Sequence, residues 1–343
     1  MKAASARVGA AFRVEIQTVL RPLLPPGSRY VHLAPPNHVN PGDSAIWLGE
    51  RRCFKDLGVR SVAASHVRRY WRDEVEALGR RDILLAGGGN FGDLWPDVQA
   101  FRERVISDFP DRRIVQLPQS IHFRERSNLE RARRIIETHP DFTLLVRDRR
   151  SLDIAREAFD VPVVLAPDMA LYLGSIARPT SPRIDLLWLA REDIEARDRP
   201  ELASPSSVER LDWMEDRDHE RPRGLRMGAA FRLDRRLGFL MQRSPRLARR
   251  AARARTAAAR RLAVERMVRG CTFLSRGRVV ITDRLHGHIL SMLMGIPHVC
   301  LDNSYGKVSS FVETWTSSVP IVHLAQNADD ALARANDLLL AGP

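Results

Sequence analysis

The amino-acid sequence predicts an α/β protein with two open parallel sheets in two successive domains. Short apolar runs alternate with helical stretches along almost the whole chain, which is typical of βα units. The 343 residues are also enough for two domains that each have a full core. A stretch rich in Pro, Ser and Thr at residues 174–182 predicts a linker. We therefore predict domains at residues 1–178 and 179–343, with a cleft between them at which the strands of both sheets end.

Six strands and five helices are predicted in the first domain. Each strand is a short apolar run, and each helix lies between two such runs. The predicted strands are residues 30–34, 59–63, 83–86, 114–117, 143–146 and 161–165. The predicted helices are residues 44–54, 67–78, 98–109, 129–138 and 151–158.

The second domain repeats the same alternation after the linker. Its predicted strands are residues 184–189, 279–282, 299–302 and 321–323, and a terminal helix is predicted over residues 329–340. The stretch 192–241 follows this pattern poorly, and residues 224–233 are its one candidate strand.

The passage that most constrains function is residues 279–294. An apolar strand ends at Thr282, a polar residue follows, and Arg284 and His286 lie in the first turn of the next helix. The free N–H groups of such a turn form an anion site with the positive end of the helix dipole. Arg284 adds a planar fork for a carboxylate or phosphate, and His286 can exchange a proton near neutral pH. A capped core helix with one structural histidine would show the same residues.

Polar residues also follow the predicted strands of the first domain, and this places them at the edge of the cleft. Asn40 and Asp43 lie in the first such loop, where Asp43 could equally cap a helix. Gln119 ends the fourth strand and could bind a hydroxylated ligand or be part of a plain loop. Arg147 ends the fifth strand and either faces the cleft or pairs with Asp148 at the surface.

A glycine-rich loop and a lysine complete the candidate residues at the cleft. Residues 87–92 fit the G-x-G-x-x-G pattern, but they follow the third strand and no acidic residue ends the next one. Nicotinamide cofactor binding is therefore not favoured, and the glycines instead indicate a close approach of the backbone to a ligand or a strand. Lys307 is a further candidate cation, on a loop after the strand predicted at residues 299–302.

The positive charge is concentrated in one segment. The net charge is +13, and residues 217–266 hold 16 arginines against four acidic residues. Small and apolar residues recur there at helical spacing, with arginines on the other faces, as in helices that meet anionic lipid surfaces. A solvated basic face would look the same. Because no aromatic residue interrupts residues 243–266, nucleic acid is not predicted as a partner. The recurring positions are Leu247, Ala251, Ala254, Ala258 and Leu262.

Other features of the composition exclude several classes of protein. No apolar run approaches the ~20 residues needed to span a bilayer. The N-terminal stretch does not predict a secretion signal, because charged residues such as Arg7 and Arg13 interrupt it. The three cysteines are scattered, which predicts reduced thiols in a cytoplasmic protein and no metal site. His286 and His288 are two residues apart on a helix, so they do not form a metal pair.

An ordered set of short motifs resembles the polysaccharide pyruvyl transferase family over about residues 30–323. Members resemble GT-B glycosyltransferases in fold, with two Rossmann-like domains that face each other across a cleft. They transfer the pyruvyl group of phosphoenolpyruvate to a sugar as a cyclic ketal and release phosphate. The motifs are Asn-Pro-Gly-Asp (40–43), Gly-Gly-Gly-Asn-Phe-Gly-Asp (87–93), Leu-Pro-Gln-Ser (117–120), Arg-Asp-x-x-Ser (147–151), Ala-Pro-Asp (166–168), Thr-Asp-Arg-Leu-His-Gly (282–287), Gly-Ile-Pro (295–297) and Asn-Ser-Tyr-Gly-Lys (303–307).

The resemblance implies roles for particular residues. Arg147, Arg284, His286 and the backbone of Leu285 match the family's donor-binding positions, and His286 is the expected acid that protonates the methylene carbon of the donor. No cofactor or metal is expected, since phosphoenolpyruvate is itself the donor substrate. The residues expected to contact substrate are Leu285, Asn40, Asp43, Gly88, Gly89, Asn90, Gln119 and Lys307.

The resemblance also implies an acceptor and a cellular position. Such sugars are often built on polyprenyl diphosphate carriers, so a lipid-linked oligosaccharide and a peripheral position on the inner membrane face are expected. Residues 217–266 would then contact the anionic membrane, although they lack a clear second strand for the domain. Two alternatives stay open: a GT-B glycosyltransferase with a nucleotide-sugar donor, and a non-enzymatic protein that docks through the arginines.

Overall fold

The fold was described from a computed structural model, which covers residues 2–36, 39–65, 67, 70–196, 208–214 and 245–341. Its strands form two sheets in which every strand pair is parallel. The predicted α/β class is therefore confirmed. The candidate strand at residues 224–233 lies outside the described residues.

The first sheet has seven strands, which run from one edge to the other in the order β2-β1-β3-β5-β6-β7, while β4 pairs with the second half of β5. Six helices and a short 3₁₀ turn, Met169–Leu173, accompany these strands. The strands are β1 Arg29–Leu33, β2 Arg60–Ala64, β3 Asp82–Leu85, β4 Gly88–Gly92, β5 Ile114–His122, β6 Phe142–Val146 and β7 Val163–Leu165. The helices are α1 Lys2–Leu23, α2 Pro41–Asp56, α3 Arg72–Ala77, α4 Pro96–Asp108, α5 Arg126–Glu137 and α6 Arg149–Ala158.

The second sheet has five strands in the order β12-β11-β10-β8-β9. No helix or strand occurs between Gly174 and Arg183, which includes the stretch predicted as a linker. The predicted domain boundary at residue 178 lies in this stretch and stays a prediction. The strands are β8 Ile184–Leu189, β9 Val208–Leu211, β10 Gly277–Thr282, β11 His298–Cys300 and β12 Val322–Leu324. The helices are α7 Pro245–Leu274, α8 Leu285–Met294, α9 Lys307–Phe311 and α10 Ala328–Leu340.

Two strands and one helix were not predicted. β4 consists largely of glycine, a poor strand former, but a Cβ atom at Gly92 would collide with the carbonyl of His122 on β5. β9 has only two apolar residues, and it pairs with β8 in the position where no clear second strand was found. α1 buries Ile16 and Leu20 completely in the main core.

Helix α7 connects the two halves of the molecule. Arg255 forms a buried ion pair with Glu74 of α3, and Thr256 Oγ1 accepts a hydrogen bond of 3.0 Å from the N–H of Ala63 on the edge strand β2. Arg266 donates to the carbonyl of Pro36, and burial lowers its pKa to about 10. The predicted helix is therefore present, but at least three of its arginines serve internal contacts, since Arg269 also donates to the carbonyls of Trp213 and Val39.

The buried face of α7 differs from the prediction. Ala254 belongs to the predicted apolar stripe, yet it is exposed, while Ala252, Arg255, Ala263 and Arg266 are buried. The error has a physical reason: α7 is rich in alanine and arginine, so hydrophobicity alone scarcely distinguishes its faces, and arginine stems pack well against apolar surfaces. Among the described residues, no helix is both long enough and apolar enough to cross a membrane.

Both sheets reverse their strand order in the same way. The reversal lies between β1 and β3 in the first sheet and between β8 and β10 in the second. Ligands in open α/β proteins bind at such points, where the loops after neighbouring strands leave the sheet in opposite directions. The ends of β1, β3, β8 and β10 therefore define the position of the candidate site.

Candidate active site

A cavity of about 720 Å³ lies where these four strands end. The loops after β1 and β3 line it from the first sheet, and those after β8 and β10 line it from the second. Nine predicted site residues border this cavity: Asn40, Asp43, Gly89, Asn90, Arg147, Arg284, Leu285, His286 and Lys307.

The carboxylate of Asp168 joins two of these residues. Its Oδ2 atom lies 2.6 Å from Nη1 of Arg147 and 3.4 Å from Nε2 of His286. Asp168 is 1% exposed; burial alone would raise its pKa, but the charges of His286 and Arg147, together with the N–H of Ala170, hold that pKa well below its usual range. The carboxylate is therefore ionised, and it can stabilise both the guanidinium and a protonated imidazole.

Arg147 is held firmly at the end of β6. Its Nε donates to Ser120 Oγ at 3.0 Å, and its backbone carbonyl accepts a hydrogen bond from the indole of Trp315. A Cβ atom at Gly89 would lie 2.5 Å from Nη2 of Arg147 and 3.2 Å from Nζ of Lys307. The absence of a side chain at position 89 lets two cations of the cavity come close to the backbone.

Lys307 lies at the start of α9 and forms an ion pair with Glu195, which sequence reasoning did not predict. Burial lowers the pKa of Lys307 to about 8, although Glu195 opposes the shift. Burial alone would raise the pKa of Glu195, but Lys307 and Arg191 lower it to about 2. Trp95 Nε1 and Tyr305 Oη also donate to Glu195, both at 3.1 Å, so this carboxylate is held from several sides.

Arg284 is placed differently from the expectation. Its Nη2 atom contacts the carboxylates of Asp212 and of Asp193, the latter at 3.3 Å, so two acids already share its charge. Arg284 is also the N-cap residue of α8, and its own side chain does not cap that helix start. The expected anion site would therefore use the first-turn N–H groups of Leu285 and His286.

The start of α2 packs directly on His286. A Cβ atom at Gly42 would lie 2.5 Å from Nδ1 of the imidazole, so the absence of a side chain there makes room for the ring. Asn40 caps α2 by accepting the N–H of Gly42, and its Nδ2 donates to Oδ2 of Asp43 at 3.0 Å. Asn40 thus orients Asp43 at the border of the cavity.

Gln119 and Gly88 shape the glycine loop from behind. Gln119 is fully buried: its side chain accepts the N–H of Asn90 at 3.1 Å and donates to the carbonyl of Ala86 at 2.9 Å. Gly88 has a φ of 149°, in the region that favours glycine, and neither residue borders the cavity. Gln119 thus supports the glycine loop, and the direct ligand contact expected of it stays a prediction.

One group of described residues has ligand atoms close enough to hold a metal ion, namely His288, His298 and Cys300. Hydrogen bonds already account for both rings: Nδ1 of His288 lies 2.7 Å from Nε2 of His298, and the outer ring nitrogens contact Thr316 Oγ1 and the carbonyl of Ile296. Burial lowers the pKa of both histidines, to about 4 for His298, so the pair is neutral near pH 7.

The four acidic residues that hold the cations were missed, and their signals differ. Asp168 was within the quoted Ala-Pro-Asp motif, directly after a predicted strand, but it received no role. Asp193 and Glu195 follow the strand predicted at residues 184–189 in a charged stretch that resisted interpretation. Asp212 lies far from Arg284 in sequence, and no local pattern connects them.

Most of the chain matches one known protein family. Residues 40–305 match the family model described as polysaccharide pyruvyl transferase, which spans most of the chain and every residue bordering Asp168. The chain belongs to the polysaccharide pyruvyl transferase family. The recognition made from the ordered motifs is therefore confirmed.

Two relatives of the family illustrate how far the similarity extends. EpsO of Bacillus subtilis is named as a pyruvyl transferase, with the activity assigned provisionally. It is 32% identical to this chain over 317 residues, which are 89% of this chain and 91% of EpsO. Pyruvyl transferase 1 of Schizosaccharomyces pombe is 34% identical over 304 residues, or 82% of this chain and 68% of the yeast protein. A crystal structure of a functionally uncharacterised protein from Klebsiella pneumoniae shares the fold, with a TM-score of 0.56 and 17% identity over 92% of this chain and 98% of that one.

Proposed function

We propose that this family member transfers the pyruvyl group of phosphoenolpyruvate to two hydroxyls of one sugar, forming a cyclic ketal and releasing phosphate. The observation that carries the proposal is the carboxylate oxygen of Asp168 that Arg147 and His286 share. This oxygen places a fixed cation next to a group that can transfer a proton. In the proposed reaction phosphoenolpyruvate needs both. A glycosyltransferase with a nucleotide-sugar donor is not favoured by the family comparison.

The donor has a carboxylate and a phosphate on a three-carbon frame. Arg147 and Lys307 meet at Gly89, and the first turn of α8, which includes His286, borders the same cavity. These donors of hydrogen bonds could bind the two negative ends of one small molecule. The carboxylates that pair with these cations hold them in place.

The reaction proceeds by addition followed by displacement. Protonated His286 gives its proton to the methylene carbon, while the oxygen of the first sugar hydroxyl bonds to the central carbon. The second hydroxyl then displaces phosphate from this tetrahedral centre. The bond between the central carbon and the bridging phosphate oxygen breaks. One hydroxyl proton restores His286 and the other leaves with phosphate, so the balance is closed. Asp168 stabilises the imidazolium before the first step.

The proposal extends to the acceptor and the arrangement of the halves. We infer that the acceptor is a lipid-linked oligosaccharide and that the two sheets act as the halves of a GT-B-like enzyme. α7 supports a peripheral membrane contact through the arginines that its internal contacts leave exposed, namely Arg250, Arg253, Arg260 and Arg261. Val264 and Val268 are also exposed on this helix, at 40% and 43%.

Phosphate release tests the proposed function. The purified protein is incubated with phosphoenolpyruvate and a panel of p-nitrophenyl hexopyranosides, and free phosphate and the mass of the glycoside are followed together. We expect phosphate to appear only with an accepted sugar, in a one-to-one ratio with a product that is 70 Da heavier, as for a pyruvate ketal. Binding of a nucleotide sugar, with no binding of phosphoenolpyruvate, would contradict the proposal.

The pH dependence of donor binding tests the role of Lys307. Because its pKa is about 8, the ammonium loses its proton as the pH rises from 7 to 9, and one positive charge of the donor site disappears. We expect the Kd for phosphoenolpyruvate, measured by calorimetry, to rise roughly tenfold per pH unit above about 8. In Lys307→Arg this rise should vanish, because a guanidinium stays charged; an unchanged profile would exclude Lys307 from the donor site.

Vesicle binding tests the membrane contact of α7. We expect Arg→Gln changes at Arg250, Arg253, Arg260 and Arg261 to abolish co-sedimentation with vesicles that contain phosphatidylglycerol, at about 1 kcal/mol per arginine. The matched control makes the same change in charge on α5, at the exposed residues Arg126, Arg131, Arg133 and Arg134. Equal loss of binding in both variants would indicate a general charge effect and contradict a specific role for α7.

A further inference from the structure

The two ring nitrogens of His286 have different surroundings. Nε2 is buried and lies 3.4 Å from Oδ2 of Asp168. Nδ1 forms no hydrogen bond with the described residues, yet it is not one of their buried unpaired atoms. The side chain keeps 11% of its surface exposed, and it borders the cavity. The exposed part of the ring therefore includes Nδ1, whereas a ligand cannot reach Nε2.

The carboxylate of Asp168 determines which nitrogen can lose a proton. An ionised carboxylate only accepts hydrogen bonds, so it favours the neutral ring that has its proton on Nε2. Loss of the Nε2 proton would instead leave a nitrogen lone pair facing the carboxylate. The imidazolium therefore loses the proton on Nδ1, the nitrogen that does not face Asp168.

The start of α2 lies beside Nδ1. A Cβ atom at Gly42 would lie 2.5 Å from Nδ1 and 2.6 Å from Cγ of His286, which is too close for either group to stay in place. Gly42 is part of the helix and does not have the positive φ that favours glycine. Because glycine is a poor helix former, the backbone does not explain this residue, and the space beside the imidazole does.

The start of α2 is also held from behind. A Cβ atom at Gly270 of α7 would lie 2.5 Å from Cβ of Pro41, so the two helices touch there without room to spare. Asn40 Oδ1 accepts the N–H of Gly42 at 3.0 Å, and Arg269 of α7 donates to the carbonyl of Val39 at 2.6 Å. A side chain at position 42 would therefore displace the imidazole and not the helix.

We propose that His286 transfers its proton through Nδ1 and that Gly42 is the positioning residue that keeps this nitrogen open to the cavity. In the addition step the N–H bond at Nδ1 breaks, and its electron pair stays on the nitrogen. The electron pair of the donor's double bond takes the proton and forms a C–H bond, while the sugar oxygen bonds to the central carbon. Nε2 keeps its proton and its contact with Asp168. The inference rests on the proposed function and deepens it.

Two glycine substitutions test the role of Gly42. Gly42→Ala and Gly270→Ala each add a carbon 2.5 Å from an atom at this contact, but only Gly42→Ala crowds the imidazole. We expect phosphate release to fall roughly 10²-fold or more in Gly42→Ala and at most about a tenth as far in Gly270→Ala. The Kd for phosphoenolpyruvate should be unchanged in both. Equal losses of turnover, or a donor Kd that rises in Gly42→Ala, would show a general displacement of α2 and overturn the proposal.

A double variant tests whether Gly42 acts through the imidazole. Gly42→Ala combined with His286→Ala should release phosphate no more slowly than His286→Ala alone, because the group that Gly42 positions is already absent. A further loss in the double variant would mean that Gly42 acts by another route.

Nuclear magnetic resonance tests the nitrogen assignment in the wild-type protein, without turnover and without a variant at position 42. The histidine rings are labelled with heavy nitrogen, and the signals of His286 are those that disappear in His286→Ala. We expect the neutral ring to have its proton on Nε2 and a bare Nδ1. The opposite tautomer would overturn the proposal. If the expected tautomer is found but no sugar supports phosphate release, the assignment of the nitrogens stands and the proposed reaction fails.

Discussion

His286→Ala is expected to reduce phosphate release by roughly 10²–10⁴-fold, while the protein stays folded and still binds phosphoenolpyruvate. This range is typical of the loss of a side chain that transfers a proton in the transition state. Nε2 of His286 lies 3.4 Å from a carboxylate oxygen of Asp168, and the imidazole borders the cavity, as Arg147 does. In the proposed function the donor is bound mainly by cations and helix N–H groups, which this change leaves in place.

Steady-state rates and calorimetry on the same preparation separate the two effects. His323→Ala serves as the control, because His323 lies on the outermost strand β12 and does not border the cavity. We expect it to turn over at the wild-type rate. A His286→Ala variant with near wild-type turnover would remove the imidazole from the mechanism. A variant with unchanged kcat and a raised donor KM would make His286 a phosphate ligand and not an acid.

Asp168→Asn is expected to lower both stability and turnover. The change keeps the shape of the side chain but removes the charge that balances Arg147, whose side chain is 1% exposed. Breaking a buried ion pair by removing one partner typically costs about 3–5 kcal/mol. The imidazolium of His286 also loses its stabilising charge, so we expect turnover to fall at least as far as in His286→Ala.

The dependence of this stability on pH has a definite sign. The folded-state pKa of Asp168 is depressed, so its contribution is fully present above the pKa of an unfolded aspartate, about 3.9, and is lost as the pH falls below it. The difference in unfolding free energy between wild type and Asp168→Asn should therefore be constant from pH 5 to 7 and shrink below pH 4. Urea unfolding at each pH measures it, and a difference that grows in acid would contradict the assignment.

A double variant separates the structural effect of Asp168 from the chemical one. In Asp168→Asn combined with Arg147→Met, no buried charge is left without a partner, so we expect most of the stability to return. Turnover should stay low, because both the cation and the stabilising carboxylate are gone. Recovery of turnover together with stability would show that Asp168 acts only through folding.

The sequence was sufficient for the order of the elements and for the family. Strands such as β1, β6 and β10 are apolar runs of five or six residues between helices. Because a parallel sheet is buried on both faces, its strands consist of such apolar runs. β4 and β9 leave no such mark. β4 pairs with β5, and β9 pairs with β8, so each of them depends on a partner strand for its hydrogen bonds. The local residues of β4 and β9 do not predict this pairing.

The candidate site also has features that the sequence predicts and features that depend on residues remote in the chain. Arg147, His286, Gly89 and Lys307 follow strands of parallel sheets, so the position of each along the chain already predicted that it would face the ligand. Whether a cation there is available to a ligand depends on its partners, and these come from distant segments. Asp212 reaches Arg284 from 72 residues away, and Glu195 reaches Lys307 from 112 residues away.

By itself, then, the sequence determined most of the strands and helices, the family, and the cations and histidine at the strand ends. Those features depend on local hydrophobicity and on motifs that are continuous in the chain. Only the tertiary structure decided which charges are paired, that Asp168 joins Arg147 to His286, and that α7 turns arginines such as Arg255 and Arg266 inward. Electrostatic pairing and cavity walls depend on distances of a few ångströms between residues that are remote in sequence, and no local pattern encodes those distances.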